Sequence, residues 1–381
     1  MSNPADDPPC EEGELDALVD SLLAPYAHPG APGGSVGVFH RGRTLFQRAC
    51  GLALLEPPAA TGTRTNYRLA SLTKQFTATA ILILVERGAL ALDTAVREVL
   101  PELRDGGEPV RVHHLLTHTS GVWDYEDLIP TGQTEQVGDG DVLAMLAGCD
   151  RRYFGPGESF RYSNSGYALL ATVVERRGGG SFADFLRKRI FRPLGMHTAV
   201  AYEAGLSSVP ERAYGYAEAA GGFSPADQDL TSAVLADGGV YASVADLACW
   251  EDALVYPHLL SPATLERMWS PAKLRDGTSI PYGYGWYVDV DRDRRRLTHH
   301  GESIGFRSAV IRYPREQLGV WVLTNRSPGS PWELAQRIAE RGAGAARQPG
   351  AGGAGAALAL PRLRLIVCAR LTTQSPQPTI R

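Results

Sequence analysis

The sequence predicts an α/β (α+β) fold: one antiparallel sheet built from both chain ends, flanking helices, and a mostly α-helical lobe inserted between. Three observations predict it. A hairpin reads early, in GGSVGVFHRGRTLFQRACG (33–51), turning near Arg41–Gly42. Runs rich in β-branched and aromatic residues return late, in YGYGWYVDV (282–290), SAVIRYP (308–314) and LGVWVLT (318–324). Between them, roughly 71–270, helix-start signals recur, such as Ser181 with Asp184 three residues on.

Taken in order, residues 1–11 read as a polar leader. From Glu12, Leu15, Leu18, Val19 and Leu22 keep helical spacing, which predicts an amphipathic helix to about Ala24. The hairpin follows. In RLASLTKQFTATAILILVERG (68–88), residues 76–85 are apolar nearly all round apart from Thr77 and Thr79. A helix of that kind is buried. Ser71 is its expected N-cap and Gly88 its C-terminal stop. A turn at Pro314–Gln317 joins the last two strands. Ser330-Pro331-Trp332-Glu333 is a capping box with proline at the first helical position, opening a last helix to about Arg341. The folded domain is expected over 12–341. Beyond Gly342 the chain turns to Gly/Ala-rich low complexity, and 343–381 are expected to be a disordered tail.

Composition narrows the function classes. The 381 residues are 44% hydrophobic and 21% charged, the balance of a globular protein with a real core. A net charge of −4 provides no basic field for nucleic acid or an anionic membrane. The apolar run Ala78–Val85 is far short of the roughly 20 residues that span a bilayer. The acidic N-terminus has neither a basic nor an apolar signal region, so a cytoplasmic location is expected. Five separated cysteines without a C-x-x-C pair support neither zinc nor redox chemistry.

One residue stands out against the composition. Only three of the 38 basic residues are lysines, and Lys74 is one of them. It sits one turn after Ser71, on the same face of a helix that must be buried. A buried lysine is costly unless used, and burial lowers its pKa towards a neutral amine. Arginine cannot lose its proton in a protein. A position that keeps lysine in an arginine-rich chain therefore points to a base beside a serine nucleophile. The pattern S-x-x-K alone is weak: Ser270–Lys273 also matches, but leads into a loop.

Two further segments raise the odds. RYSNSGYALLATVVERRGG (161–179) places Tyr162 and Asn164 ahead of another apolar helix. A phenol acts as a base only beside a cation such as Lys74, and a carboxamide both donates and accepts towards a substrate amide. LTHHGESIGFRSAV (297–310) places His299, His300 and Gly301 before a predicted strand. Glycine there permits close backbone approach, and the Glu302 amide can join that of Ser71 at an oxyanion.

In this order the three motifs resemble the serine β-lactamase and penicillin-binding-protein superfamily, nearest its class C β-lactamase-like branch of D-peptidases and esterases. The stretches 89–103, 112–125, 154–167 and 237–250 are similar to that branch too, and the likeness covers about residues 30–325. It implies a β-lactamase/transpeptidase-like fold, with Ser71 as the acylated nucleophile and Lys74 and Tyr162 sharing the proton transfers. It implies that Asn164, His299, His300 and Gly301 contact substrate, with the Ser71 and Glu302 amides forming the oxyanion hole. Classical β-lactamases have lysine where this chain has His299, which is largely neutral near pH 7, so strong β-lactamase activity is not expected.

The expectation is a cofactor-free, metal-free serine hydrolase acting on an ester, a D-amino-acid peptide or a β-lactam, with a small-molecule or short-peptide substrate, no nucleic-acid or membrane partner, and an oligomeric state that stays open. The alternatives are a non-catalytic relative that keeps the cleft, and a metallohydrolase built on His113, His114 and His118, which lack an H-E-x-x-H pattern.

Overall fold

The computed structural model describes residues 12–104 and 107–345. Helix α1 (Glu12–Leu23) leads into strands β1 (Gly34–His40) and β2 (Arg43–Cys50). Their turn residues, Arg41 and Gly42, both have positive φ, as a two-residue hairpin with the right-handed strand twist requires. Four strands return late: β3 (Tyr287–Asp291), β4 (Arg294–Ser303), β5 (Phe306–Tyr313) and β6 (Leu318–Thr324). The order is β3-β4-β5-β6-β1-β2, antiparallel throughout, with β1 on β6 in the register Val36↔Val322 and Val38↔Val320. The two ends of the chain thus close one sheet, as the sequence predicts.

The intervening chain is mainly helical. It contains α2 (Lys74–Glu86), α3 (Asn164–Gly178) and α4 (Val244–Val255), and after the sheet α5 (Pro331–Ala345) closes the domain. Residues Lys74 to Leu84 of α2 are all buried, which its unbroken apolar character demands. Alternate residues of the central strands face two separate cores. Val36, Val38, Ile311, Val320 and Val322 pack with α1 and α5, whereas Phe39, Val310, Trp321 and Leu323 pack with the helical lobe. Being covered on both faces, β6 reads as a continuous apolar run.

The structure revises four local expectations. Residues 282–286 are not strand, because only Tyr287–Asp291 pairs with β4. His299-Gly301 precedes the predicted strand, now β5, but itself lies within a further strand, β4, that the sequence does not predict. Ser71 is not an N-cap: it sits in a 3-10 turn, Ala70–Thr73, and α2 has no side-chain cap. The last helix runs to Ala345, past the expected limit of the domain. Of the predicted tail 343–381, residues 346–381 lie outside the described residues.

Candidate active site

The turn Ala70–Thr73 brings the start of α2 against the N-terminus of α3 and the far end of β4. Ala70 has φ +49°, a conformation that non-glycine residues hold only where surrounding structure enforces it. Gly301 makes the approach of β4 possible, since a Cβ there would lie 2.2 Å from the Leu69 carbonyl oxygen.

Lys74 is fully buried. Its Nζ donates to Ser71 Oγ at 3.0 Å, to Asn164 Oδ1 at 2.9 Å and to the Asp237 backbone carbonyl at 2.9 Å. All three ammonium protons are therefore engaged. Burial pulls the lysine down to about 8, against the opposing charges of Asp237, Glu126 and Asp124. The same burial pushes the Asp237 carboxyl upward, although Lys74 and Arg68 favour its ionised form.

Tyr162 and Asn164 join Ser71 and Lys74, as the motif spacing implies. The Tyr162 hydroxyl is buried and unpartnered, and Lys74 Nζ lies over the ring, 4.9 Å from its centroid. Burial raises the phenol well above its usual range, outweighing the influence of the Ser71 hydroxyl. Asn164 is oriented at both ends: Lys74 takes its oxygen, and its Nδ2 donates to Glu126 Oε1 at 3.2 Å.

The third motif divides between two faces. His299 is 1% exposed and sits behind the cleft. Its Nδ1 faces the His300 carbonyl at 2.8 Å, so that nitrogen carries the proton, and Nε2 accepts from the Tyr282 hydroxyl at 3.0 Å. Burial holds it down to about 3, and it is a neutral ring with both nitrogens occupied. Its side chain does not line the pocket that contains Ser71. His300 is exposed and lines a neighbouring groove with Tyr287 and Trp332. Glu302 borders both that groove and the pocket of about 130 Å³ that contains Ser71.

Glu126, Asp237 and Arg68 were not singled out from sequence, yet all line the Ser71 pocket. A buried lysine signals that a counter-charge exists somewhere, but nothing local says where in the chain it lies. The three histidines of the metal alternative face separate partners. His113 Nδ1 meets the Leu92 carbonyl at 3.1 Å, while His114 and His118 accept the amides of Arg111 and Ser163, each at 3.1 Å. Among the described residues no three His, Cys, Asp or Glu side chains group as metal ligands. No described helix is long and apolar enough to cross a membrane.

An antiparallel sheet with a helical lobe, and S-x-x-K, Y-x-N and H-x-G segments meeting beside it, defines a serine hydrolase of amide or ester bonds. The family model described as beta-lactamase matches residues 15–344, and the chain belongs to that family. It is 32% identical over 319 residues to a penicillin-binding protein of Bacillus subtilis, covering 79% of this chain and 70% of that one. It is 31% identical over 329 residues to a D-aminopeptidase of Gluconobacter oxydans, covering 85% of this chain but 61% of the relative. The solved structure of an octameric penicillin-binding protein homologue from Pyrococcus abyssi superposes with a TM-score of 0.75 at 28% identity, covering 88% of this chain and 78% of that one.

Proposed function

We propose that this hydrolase cleaves the amide bond after an N-terminal amino acid of a short peptide or amide, through an acyl-enzyme on Ser71. The observation that carries the reading is the buried Lys74, hydrogen-bonded to Ser71 and Asn164 at once. In its neutral form Lys74 accepts the Ser71 proton as Oγ bonds to the carbonyl carbon. The amides of Ser71 and Glu302 receive the oxyanion. The carbon–nitrogen bond then breaks, and the leaving amine takes the proton now on Lys74. Tyr162, kept protonated by burial, keeps its proton throughout and offers only a hydrogen bond beside Ser71, rather than serving as the resting base. Water reverses the sequence to free the acyl group.

The charge around Ser71 supports an amine on the acyl side. Glu126, Asp229, Asp237 and Glu302 line the pocket against a single lining cation, Arg68, and both Arg68 and the nearby Lys74 are buried and act on Asp237. His299 supplies no charge for a substrate carboxylate. A pocket of about 130 Å³ suits a small side chain such as that of alanine. The likeness to a D-aminopeptidase favours the D configuration.

The test is a substrate panel combined with intact-mass spectrometry. D-alanine p-nitroanilide should turn over faster than its L enantiomer and faster than its N-acetyl derivative. A fluorophosphonate should add once to the wild type and not to Ser71→Ala, which should hydrolyse nothing. Full turnover by Ser71→Ala would refute the nucleophile, and preference for the N-acetyl substrate would refute the amine.

A further inference from the structure

The histidines of segment 112–125 take no direct part in this chemistry, yet the last of them is tied closely to the cleft. His118 is 1% exposed and has φ +58°. Its backbone carbonyl accepts the Arg161 amide at 3.0 Å, and its ring Nδ1 accepts the Ser163 amide at 3.1 Å. These two bonds grip the chain immediately before and immediately after Tyr162. The ring also packs on Tyr162, with centroids 4.3 Å apart, and on Tyr282 at 4.6 Å. Because Nδ1 accepts, the ring proton is on Nε2, which is buried and unpartnered. The fold thus holds a neutral histidine in a left-handed backbone conformation, with one buried donor unpaired. Each of these features costs free energy.

We propose that His118 is a positioning residue for the reaction: its hold on the Arg161 and Ser163 amides sets the Tyr162 hydroxyl beside Ser71 and the Asn164 carboxamide against Lys74. The proposal rests on the reading of Ser71 and Tyr162 given above. Histidine meets three demands here. It offers an acceptor one bond from Cγ, a flat face for Tyr162, and no charge close to Lys74. Asparagine places Oδ1 where Nδ1 now lies and tolerates positive φ, but lacks the ring. Phenylalanine keeps the ring and lacks the acceptor, which leaves the Ser163 amide buried and unpaired.

The experiment compares His118→Asn and His118→Phe with wild type on D-alanine p-nitroanilide and on a short p-nitrophenyl ester. Active sites are counted by fluorophosphonate labelling, and folding is followed by thermal melts. Displacement of the 161–164 segment predicts that His118→Phe loses roughly 100-fold in kcat with KM within about threefold, and that His118→Asn returns to within about tenfold of wild type. Equal loss in both variants, wild-type kcat in His118→Phe, or loss that disappears when rates are expressed per labelled site would overturn the proposal. Two readouts do not depend on turnover. Isotope-edited NMR of the ring nitrogens should find the proton on Nε2, and a proton on Nδ1 overturns the proposal. A crystal structure of His118→Phe should show 161–164 displaced, and an unmoved segment overturns it. A wild-type enzyme that neither turns over nor labels would instead refute the Ser71 reading, while these two readouts still decide the role of His118.

Discussion

At the scale of the residue, Lys74 was legible because of its type, and its partners were not. An arginine-rich chain that keeps lysine one turn after a serine states the need for a removable proton. Which carboxylates balance that lysine depends on folding, since Glu126 and Asp237 come from separate segments. The face on which His299 lies was equally hidden, because strand alternation assigns a side only once the register is known. The charges make a definite statement about pH. Below its pKa Lys74 is an ammonium and cannot accept the Ser71 proton, so kcat/KM should climb with pH and level off above about 8. Glu126 favours the ammonium, so Glu126→Gln should move this limb to lower pH while keeping an acceptor for Asn164. A limb that stays put or moves upward would show that another group is titrating. Lys74→Arg, which cannot deprotonate, should lower kcat about 1,000-fold, measured on the same ester.

At the scale of the element, the hairpin was readable from its turn and β6 from β-branched and aromatic content, and β4 was not. Its first three residues, Arg294–Arg296, are consecutive arginines, which hide the strand signal. Those arginines are accommodated by ion pairs across and beside the sheet, Arg296 with Asp289 and Arg295 with Glu266. The consequence for function is that Gly301 is held on a rigid strand pressed on the turn that carries Ser71, the proposed nucleophile. A methyl group at 301 would have to displace the Leu69 carbonyl, so β4 and the Ser71 turn must separate. A shift near 1 Å in a catalytic pair costs on the order of 100-fold, and Gly301→Ala should lose about that much kcat/KM. The variant should stay folded by circular dichroism, because the strand's pairing with β5 continues on its other edge. Retention of wild-type kcat/KM would mean that the turn yields without moving Ser71.

At the scale of the whole molecule, the active site depends on a helical lobe being held against a sheet made from distant parts of the chain. The division into sheet and lobe was legible from the order of elements, but the fastening between them was not, because its partners are far apart in sequence. Glu251 on α4 and Arg312 on β5 form an ion pair in which each side chain is 1% exposed. Trp321 Nε1 on β6 donates to the same carboxylate at 2.8 Å, and Arg312 Nη2 donates to the Leu254 carbonyl at 3.1 Å. Gly319 leaves the space, since a Cβ there would come within 2.4 Å of the carboxylate. An ion pair this deep contributes little beyond a well-packed apolar pair, but breaking it strands a buried charge. Glu251→Ala should therefore destabilise the fold by about 3–5 kcal/mol in chemical denaturation. The double variant Glu251→Leu with Arg312→Met should recover most of that loss, because no charge remains to desolvate. If the double variant is as unstable as Glu251→Ala or less stable, the stranded-charge account is wrong. Recovery of stability with kcat also restored would locate the role of the pair in holding lobe to sheet, at a distance from the chemistry on Ser71.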